Sequence, residues 1–289
     1  MKLSSILVAF AAAASLMAAP PIPVLIVDGQ NNHKWQETTP VLKKLLEETG
    51  MFQVDVATSP AKGGDMASFK PEFAKYKLVV SNYNGDSWSA ETKAAFEKFV
   101  QEGGGFVSYH AADNAFPEWA SFNSMIGIGG WGNRDEHAGP FWYFRDGKMV
   151  SDETPGKAGN HGARKPFQVT DRDLKHPITK GLPPVWMHEA DELYSKLRGP
   201  GEKIHLLGTA FSDPDNKGTG HDEAMLMTLN YGKGRIFHTT LGHDTVAMGC
   251  VGFIVTYQRG AEWAATGKVT QKVPADFPGP DKVSTRLAK

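Results

Sequence analysis

Gly103-Gly104-Gly105-Phe106-Val107-Ser108-Tyr109-His110-Ala111-Ala112-Asp113 is the stretch on which the reading of this chain turns. A glycine turn feeds a short apolar run that suits a buried strand, and the run ends on a histidine followed by small residues. Ligands of open α/β sheets bind at the carboxyl ends of the strands. A histidine there is placed for proton transfer or for metal ligation. No cysteine stands at this turn, so a thiol nucleophile is excluded.

Outward from this turn, apolar runs alternate with helical spacing. Pro23 to Val27 suits a strand buried on both faces. Thr38 to Thr49 places Val41, Leu42, Leu45 and Leu46 on one helical face before Gly50 stops it. Phe52 to Ala57 and Leu78 to Ser81 read as strands, Pro71 to Lys75 as a short helix and Ala90 to Gln101 as a helix. This alternation predicts parallel crossovers: an α/β fold with a flavodoxin-like open, mostly parallel sheet and helices on both faces. The order expected of that class is 2-1-3-4-5. Ser121 to Gly162 breaks the pattern and reads as an irregular flap. Strands resume at Phe167 to Thr170, Ile204 to Thr209, Ala224 to Leu229 and Arg235 to Leu241, and Val251 to Ala265 reads as a closing helix. Residues 22–268 form one domain on this reading, and 269–289 a loosely packed tail.

The composition is that of an ordinary globular chain: 289 residues, 40% apolar, 22% charged, with a formal net charge of −1 and no basic run. Nucleic acid is therefore not an expected partner. Lys2, the apolar stretch Ile6 to Leu16 and the small pair Ala18-Ala19 predict a signal peptide over 1–19, and with it a periplasmic or secreted protein. The apolar stretch is short of the about 20 residues a membrane span needs, so no integral membrane segment is expected after processing. Cys250 is the only cysteine, which rules out an internal disulfide, and its apolar neighbours mark it as a small buried hydrophobe.

Polar clusters follow several of the strands. Asn31-Asn32-His33-Lys34-Trp35 follows the first, Asn82 to Trp88 the third, His110 with Asp113 the fourth, and His243-Asp244 the Arg235–Leu241 strand. In a parallel sheet the first three clusters share one edge. His137 lies in the glycine-rich flap, and His188-Glu189-Ala190-Asp191-Glu192 gathers a histidine with three carboxylates, either as a charged helix start or strand edge or as an acid–base site. No HExxH or CxxC spacing is present, so a divalent metal would need ligands from separate loops, with His33, His110, His137 and His243 as candidates. His161, His176, His205, His221 and His238 show no constellation and read as structural. Trp35, Trp88, Trp119, Trp131 and Trp142 lie in or beside irregular segments, and flat aromatic faces near polar groups suit sugar rings as well as packing. The absence of GxGxxG after the first strand and of GxSxG argues against a dinucleotide site and a serine hydrolase.

The ordered motifs Gly103-Gly104-Gly105-Phe106 to His110-Ala111-Ala112, Gly129-Gly130 with His137, His176-Pro177-Ile178-Thr179-Lys180-Gly181-Leu182-Pro183, Asp191-Glu192-Leu193-Tyr194, Tyr231-Gly232-Lys233-Gly234-Arg235-Ile236-Phe237, Leu241-Gly242-His243-Asp244 and Gly260-Ala261-Glu262-Trp263 resemble the ThuA-like (trehalose utilization) family. The resemblance implies a class I glutamine amidotransferase-like fold without the amidotransferase cysteine. It also implies a link to sugar catabolism beside dehydrogenases that make 3-keto-glycosides, and recurrent polar positions at His33, His110, His137, Glu192 and His243. Asn84-Gly85-Asp86 and Ala112-Asp113-Asn114 depart from histidine-bearing versions of that pattern.

The sequence thus points to an exported protein acting on a sugar or keto-glycoside by hydrolysis, elimination or isomerisation, and not to an amidotransferase. His110, Glu192 and His243 would carry the chemistry, with His33, Trp35, Trp88, Asp113, His137 and Asp244 on the substrate and a divalent metal as a possible cofactor. A non-catalytic carbohydrate-binding module is the alternative.

Overall fold

A computed structural model describes residues 20–286. The leader expected at 1–19 lies outside the described residues. The elements in order are β1 (Ile22–Asp28), α1 (Trp35–Glu47), β2 (Phe52–Thr58), β3 (Leu78–Ser81), α2 (Ala90–Gln101), β4 (Gly105–Tyr109), α3 (Ala120–Ile126), β5 (Phe141–Arg145), β6 (Lys148–Asp152), β7 (Lys165–Asp171), β8 (Val185–Asp191), β9 (His205–Phe211), β10 (Asp222–Tyr231), β11 (Gly234–Thr239), α4 (Thr245–Met248) and α5 (Val251–Thr266). The main sheet runs β2-β1-β3-β4-β11-β10-β9-β7-β8. Its first five strands are parallel, in the flavodoxin-like order, and β10, β9, β7 and β8 continue it antiparallel.

Period-2 alternation decides which face each strand residue serves. Val24 and Ile26 of β1 turn to the core beneath α1 and α5, where Leu42, Leu46, Phe253 and Tyr257 meet them. Leu25 and Val27 turn to the opposite core, filled by Phe96 and Val100 of α2 and Phe122 and Met125 of α3. Both faces are covered, so these strands are apolar throughout. The glycine turn into β4 has a steric cause: Gly103 sits at φ +118, and a Cβ on Gly105 would lie 2.6 Å from the Ala264 carbonyl oxygen of α5.

The irregular flap expected over 121–162 contains α3 and the antiparallel hairpin β5–β6, which joins the sheet through Phe144 opposite Asp222. Residues 269–286, most of them exposed or half-buried, are tied to the domain at several points. The Glu262 carboxylate accepts from the Thr270 backbone N–H at 2.7 Å, the Met187 N–H donates to Gly279 at 2.8 Å, and the Val251 N–H donates to Ser284 at 2.9 Å. Cys250 is fully buried. Among the described residues no helix is long and apolar enough to cross a membrane.

Trp88 is a packing residue. It is 4% exposed and surrounded by the rings of Phe73, Tyr83, Phe96, Phe116 and Trp119. Trp88→Ala is expected to cost about 3–5 kcal/mol of stability, read by urea unfolding, while leaving ligand binding to the folded protein unchanged.

Burial also sets a pH dependence. Glu223 on β10 is 3% exposed, and burial pushes its carboxyl up to about 7, against the Thr219 hydroxyl that donates to it at 2.6 Å. A carboxyl whose folded pKa lies above its unfolded value leaves stability intact below the unfolded value, and stability is lost as pH rises through the folded one. Glu223→Gln is therefore expected to gain on wild type between about pH 4.5 and 7 and to keep a gain on the order of 2–3 kcal/mol above that. Urea midpoints at pH 4 and pH 8.5 check this; equal differences at the two pH values would refute it.

Candidate active site

The parallel half of the sheet brings its strand ends to one edge. His33 sits in the loop between β1 and α1, Asn84 follows β3, His110 follows β4 and His243 lies between β11 and α4. Glu192 arrives from the other end of the sheet, just past β8. It reaches the histidines because β8 doubles back onto α5. Gly252 of α5 lets this happen: a Cβ there would lie 2.2 Å from the indole of Trp186 on β8.

One oxygen of Glu192 faces three imidazoles. Its Oε2 lies 3.0 Å from His243 Nδ1, 3.5 Å from His33 Nε2 and 3.8 Å from His110 Nε2. Its Oε1 lies 3.7 Å from Nε2 of His161. His110 and His33 are oriented from behind, as ligating histidines usually are. His110 Nδ1 donates to the Thr240 carbonyl at 2.6 Å, which leaves Nε2 as a bare, buried nitrogen aimed into the cluster. His33 Nδ1 lies 3.3 Å from Asn31 Oδ1. His110 itself takes φ 43, the strained left-handed conformation that a sharp strand-to-helix turn imposes on the residue presented at its tip.

Asp191 ties these pieces together. Its Oδ2 accepts from Gly242 N at 2.6 Å and lies 2.8 Å from His188 Nε2, and its Oδ1 accepts from His243 N at 3.0 Å and Glu192 N at 2.8 Å. One buried carboxylate therefore fixes the backbone of two cluster residues at once.

The electrostatics follow from burial against pairing. Burial pushes His110 down to about 4, so it is neutral at pH 7. Burial acts to raise Glu192, but the contacts with His243 and His33 outweigh it and hold the carboxyl well below the usual range. For His243 burial acts downward, and Glu192 reverses it, raising the imidazole above its ordinary value.

His33, His110, Glu192 and His243 each offer one donor atom, and these atoms lie within 4.8 Å of one another. Three imidazole nitrogens and one carboxylate oxygen are a donor set suited to a divalent transition metal. The fit is supported by His110 Nε2, which is buried without a hydrogen-bond partner, and by His243 Nδ1, whose only neighbour of opposite charge is the Glu192 oxygen of the same cluster. Beside the cluster opens a cavity of about 380 Å³, with Asn32, Asn84, Asn114, Trp131, His161 and Tyr194 in its walls.

With this geometry in view, the profile of the ThuA family, described as trehalose utilisation, matches residues 23–264. The chain belongs to the ThuA family. A ThuA-like protein of Parabacteroides merdae, known from a crystal structure, is 50% identical and superposes with a TM-score of 0.91, covering 93% of this chain and 98% of that one. A ThuA-like protein of Bacteroides uniformis is 20% identical with a TM-score of 0.59, over 90% of this chain and 97% of that one, and this likeness shows the fold alone. A comparison with curated proteins finds no match. ThuA membership connects the chain with sugar metabolism.

Of the residues singled out in the sequence, His33, His110, Glu192 and His243 are brought together, and five are not. His137 stands 86% exposed on a turn capped by Asp135, whose carboxylate lies 2.9 Å from its Nδ1, outside the cluster. Asp113 is fully buried, 3.5 Å from His238 Nε2. Asp244 caps α4 and pairs with Arg164. Trp35 opens α1 and Trp88 lies in the core, so neither lines the cavity. His161, read as structural from sequence, lies in the cavity wall, as does Trp131, one of the five tryptophans flagged for their irregular surroundings. The glycines around His161 were the available signal: Gly159 and Gly162 are both tightly packed, the first against Trp131.

Proposed function

We propose that this chain is a divalent-metal-assisted enzyme of sugar metabolism that acts on a sugar or keto-glycoside, by hydrolysis, elimination or isomerisation. One observation carries the proposal: three imidazole nitrogens and one carboxylate oxygen converge within 4.8 Å beside a polar cavity. His33, His110, Glu192 and His243 would hold the cation, which when bound supplies a Lewis acid that polarises a substrate oxygen. A ketone acidifies the neighbouring C–H, so the work left to the chain is to orient the ring, take that proton and return one to the departing oxygen in an elimination or to the adjacent carbon in an isomerisation. His161 Nε2, next to Glu192 Oε1 at the cavity mouth, is the position from which a proton can exchange with solvent.

The test is turnover of a methyl 3-keto-glucoside by the purified protein, followed by NMR before and after chelation. Chelation is expected to abolish turnover, and zinc or manganese to restore it. The cation is also expected to stabilise the fold by about 3–4 kcal/mol at 100 to 1,000 times its Kd, seen as a rise in Tm. Undiminished turnover by His110→Ala would remove the proposed centre.

A further inference from the structure

The walls of the cavity say what kind of sugar fits. Its volume of about 380 Å³ is near the lower end for small-molecule pockets, about 300–1,000 Å³, which suits one ring with its substituents. The side walls are amides. Asn84 and Asn32 are locked to each other, with Asn84 Nδ2 also donating to the Ala111 carbonyl at 3.1 Å, so both amides are presented in fixed orientation. Asn84 spends both amide hydrogens in this lock, which leaves Asn32 Nδ2 as a donor and the carboxamide oxygens as acceptors for the hydroxyls of a polyol.

Trp131 forms the flat wall at a conformational cost. Trp131, Gly132 and Asn133 take φ 45, 56 and 65, three successive left-handed residues. Gly159 has no side chain where a Cβ would lie 2.5 Å from the indole, and Tyr194 supports the ring at 4.6 Å between centroids. Strain of this kind persists only where its surroundings enforce it, and it gathers at ligand sites.

No lysine or arginine lines the cavity among the described residues. The cationic groups near it in sequence are committed elsewhere. Arg134 donates to the carbonyls of Asn114, Gly130 and Ala115 and to Asn123 Oδ1, Arg164 pairs with Asp244, and Lys34 lies 3.1 Å from Glu37. Glu192 adds an anion to the wall. On the chain itself a phosphate or a sugar carboxylate would find no lysine or arginine to receive it, and only the cation proposed above could pair with it.

We infer that the cavity takes a single uncharged sugar ring laid on Trp131, and that it discriminates against phosphorylated and acidic sugars. This rests on the sugar reading proposed above and narrows it to a substrate class. Trp131 is then the residue that defines the binding face, while the amides read the hydroxyls.

Calorimetric titration of the full chain, stripped of metal so that turnover does not intervene, tests it with three probes: methyl 3-keto-glucoside, glucose 6-phosphate and glucuronate. The neutral probe is expected to bind, and the two anions to bind at least about tenfold more weakly. Trp131→Ala is expected to weaken the neutral probe by about tenfold, with Trp131→Phe recovering most of the loss. Circular dichroism establishes that both variants are folded. Anions binding as tightly as the neutral sugar would overturn the inference while leaving metal-dependent turnover standing. Unaltered affinity in folded Trp131→Ala would overturn the role of the indole. Failure of every sugar to bind, together with absent turnover, would overturn both this inference and the proposed function.

Discussion

Replacing Asp191 with alanine is expected to lower stability by about 3–5 kcal/mol and to disassemble the histidine–carboxylate cluster in whatever protein still folds. Asp191 and His188 are fully buried as a pair 2.8 Å apart. Burial acts against the imidazolium, but Cys250 and Asp191 outweigh it and push His188 up to about 10, so the ring is charged. Removing the carboxylate strands that charge, which is a far larger penalty than the net value of the pair. It also frees the backbone N–H groups of Glu192, Gly242 and His243. Asp191→Asn retains the acceptor oxygen and separates the effects: it loses the charge but keeps part of the backbone tie. Urea unfolding gives the stability, and zinc titration of the folded fraction gives the cluster. A folded Asp191→Ala variant with wild-type zinc affinity would refute the tie.

Glu192→Gln is expected to reduce turnover by about 10²–10⁴-fold with little change in shape. The amide keeps the side chain's volume but removes the anion that faces His33, His110 and His243. Its stability signature has a defined sign. Glu192 is held below its ordinary value, so wild type carries an advantage that is complete above about pH 4.5 and disappears as pH falls toward the folded value. The variant should therefore be less stable than wild type at pH 7 and should converge with it under acid. Equal metal affinity and turnover in Glu192→Gln would place the chemistry elsewhere.

The parallel half of the fold was legible in the sequence because its strands are buried on both faces and its helices carry one apolar stripe. Leu78 to Ser81 and Ala90 to Gln101 coincide with the observed elements to the residue. The hairpin β5–β6 was not legible: its strands alternate weakly and lie within a glycine-rich stretch, where periodicity carries little signal. Parallel topology alone gathered the clusters after the first, third and fourth strands, and with them His33 and His110; His243 joins them because β11 also runs parallel beside β4. The tryptophans misled because position beside a loop does not distinguish a ring facing a cavity from one facing the core. Trp88 follows β3 across a polar loop and turns into the core, whereas Trp131 follows α3 across Gly127 to Gly130 and opens the left-handed turn 131–133 beside the cavity. His161 was missed because its cluster partner Glu192 belongs to a different strand end, and no local spacing records the pairing.

The return of β8 onto α5 bears on how the protein folds. The three cluster histidines ride on the parallel half, while their carboxylate comes from the far edge of the antiparallel half. The cluster spans the chain from His33 to His243, and contacts between segments so distant in sequence form late, after their loop-closure entropy has been met. A chain that has completed only its parallel half would possess the histidines without Glu192 and bind a cation weakly. Full affinity would then be acquired in the last stage of folding, making metal uptake in a refolding experiment a clock for the closure of the sheet.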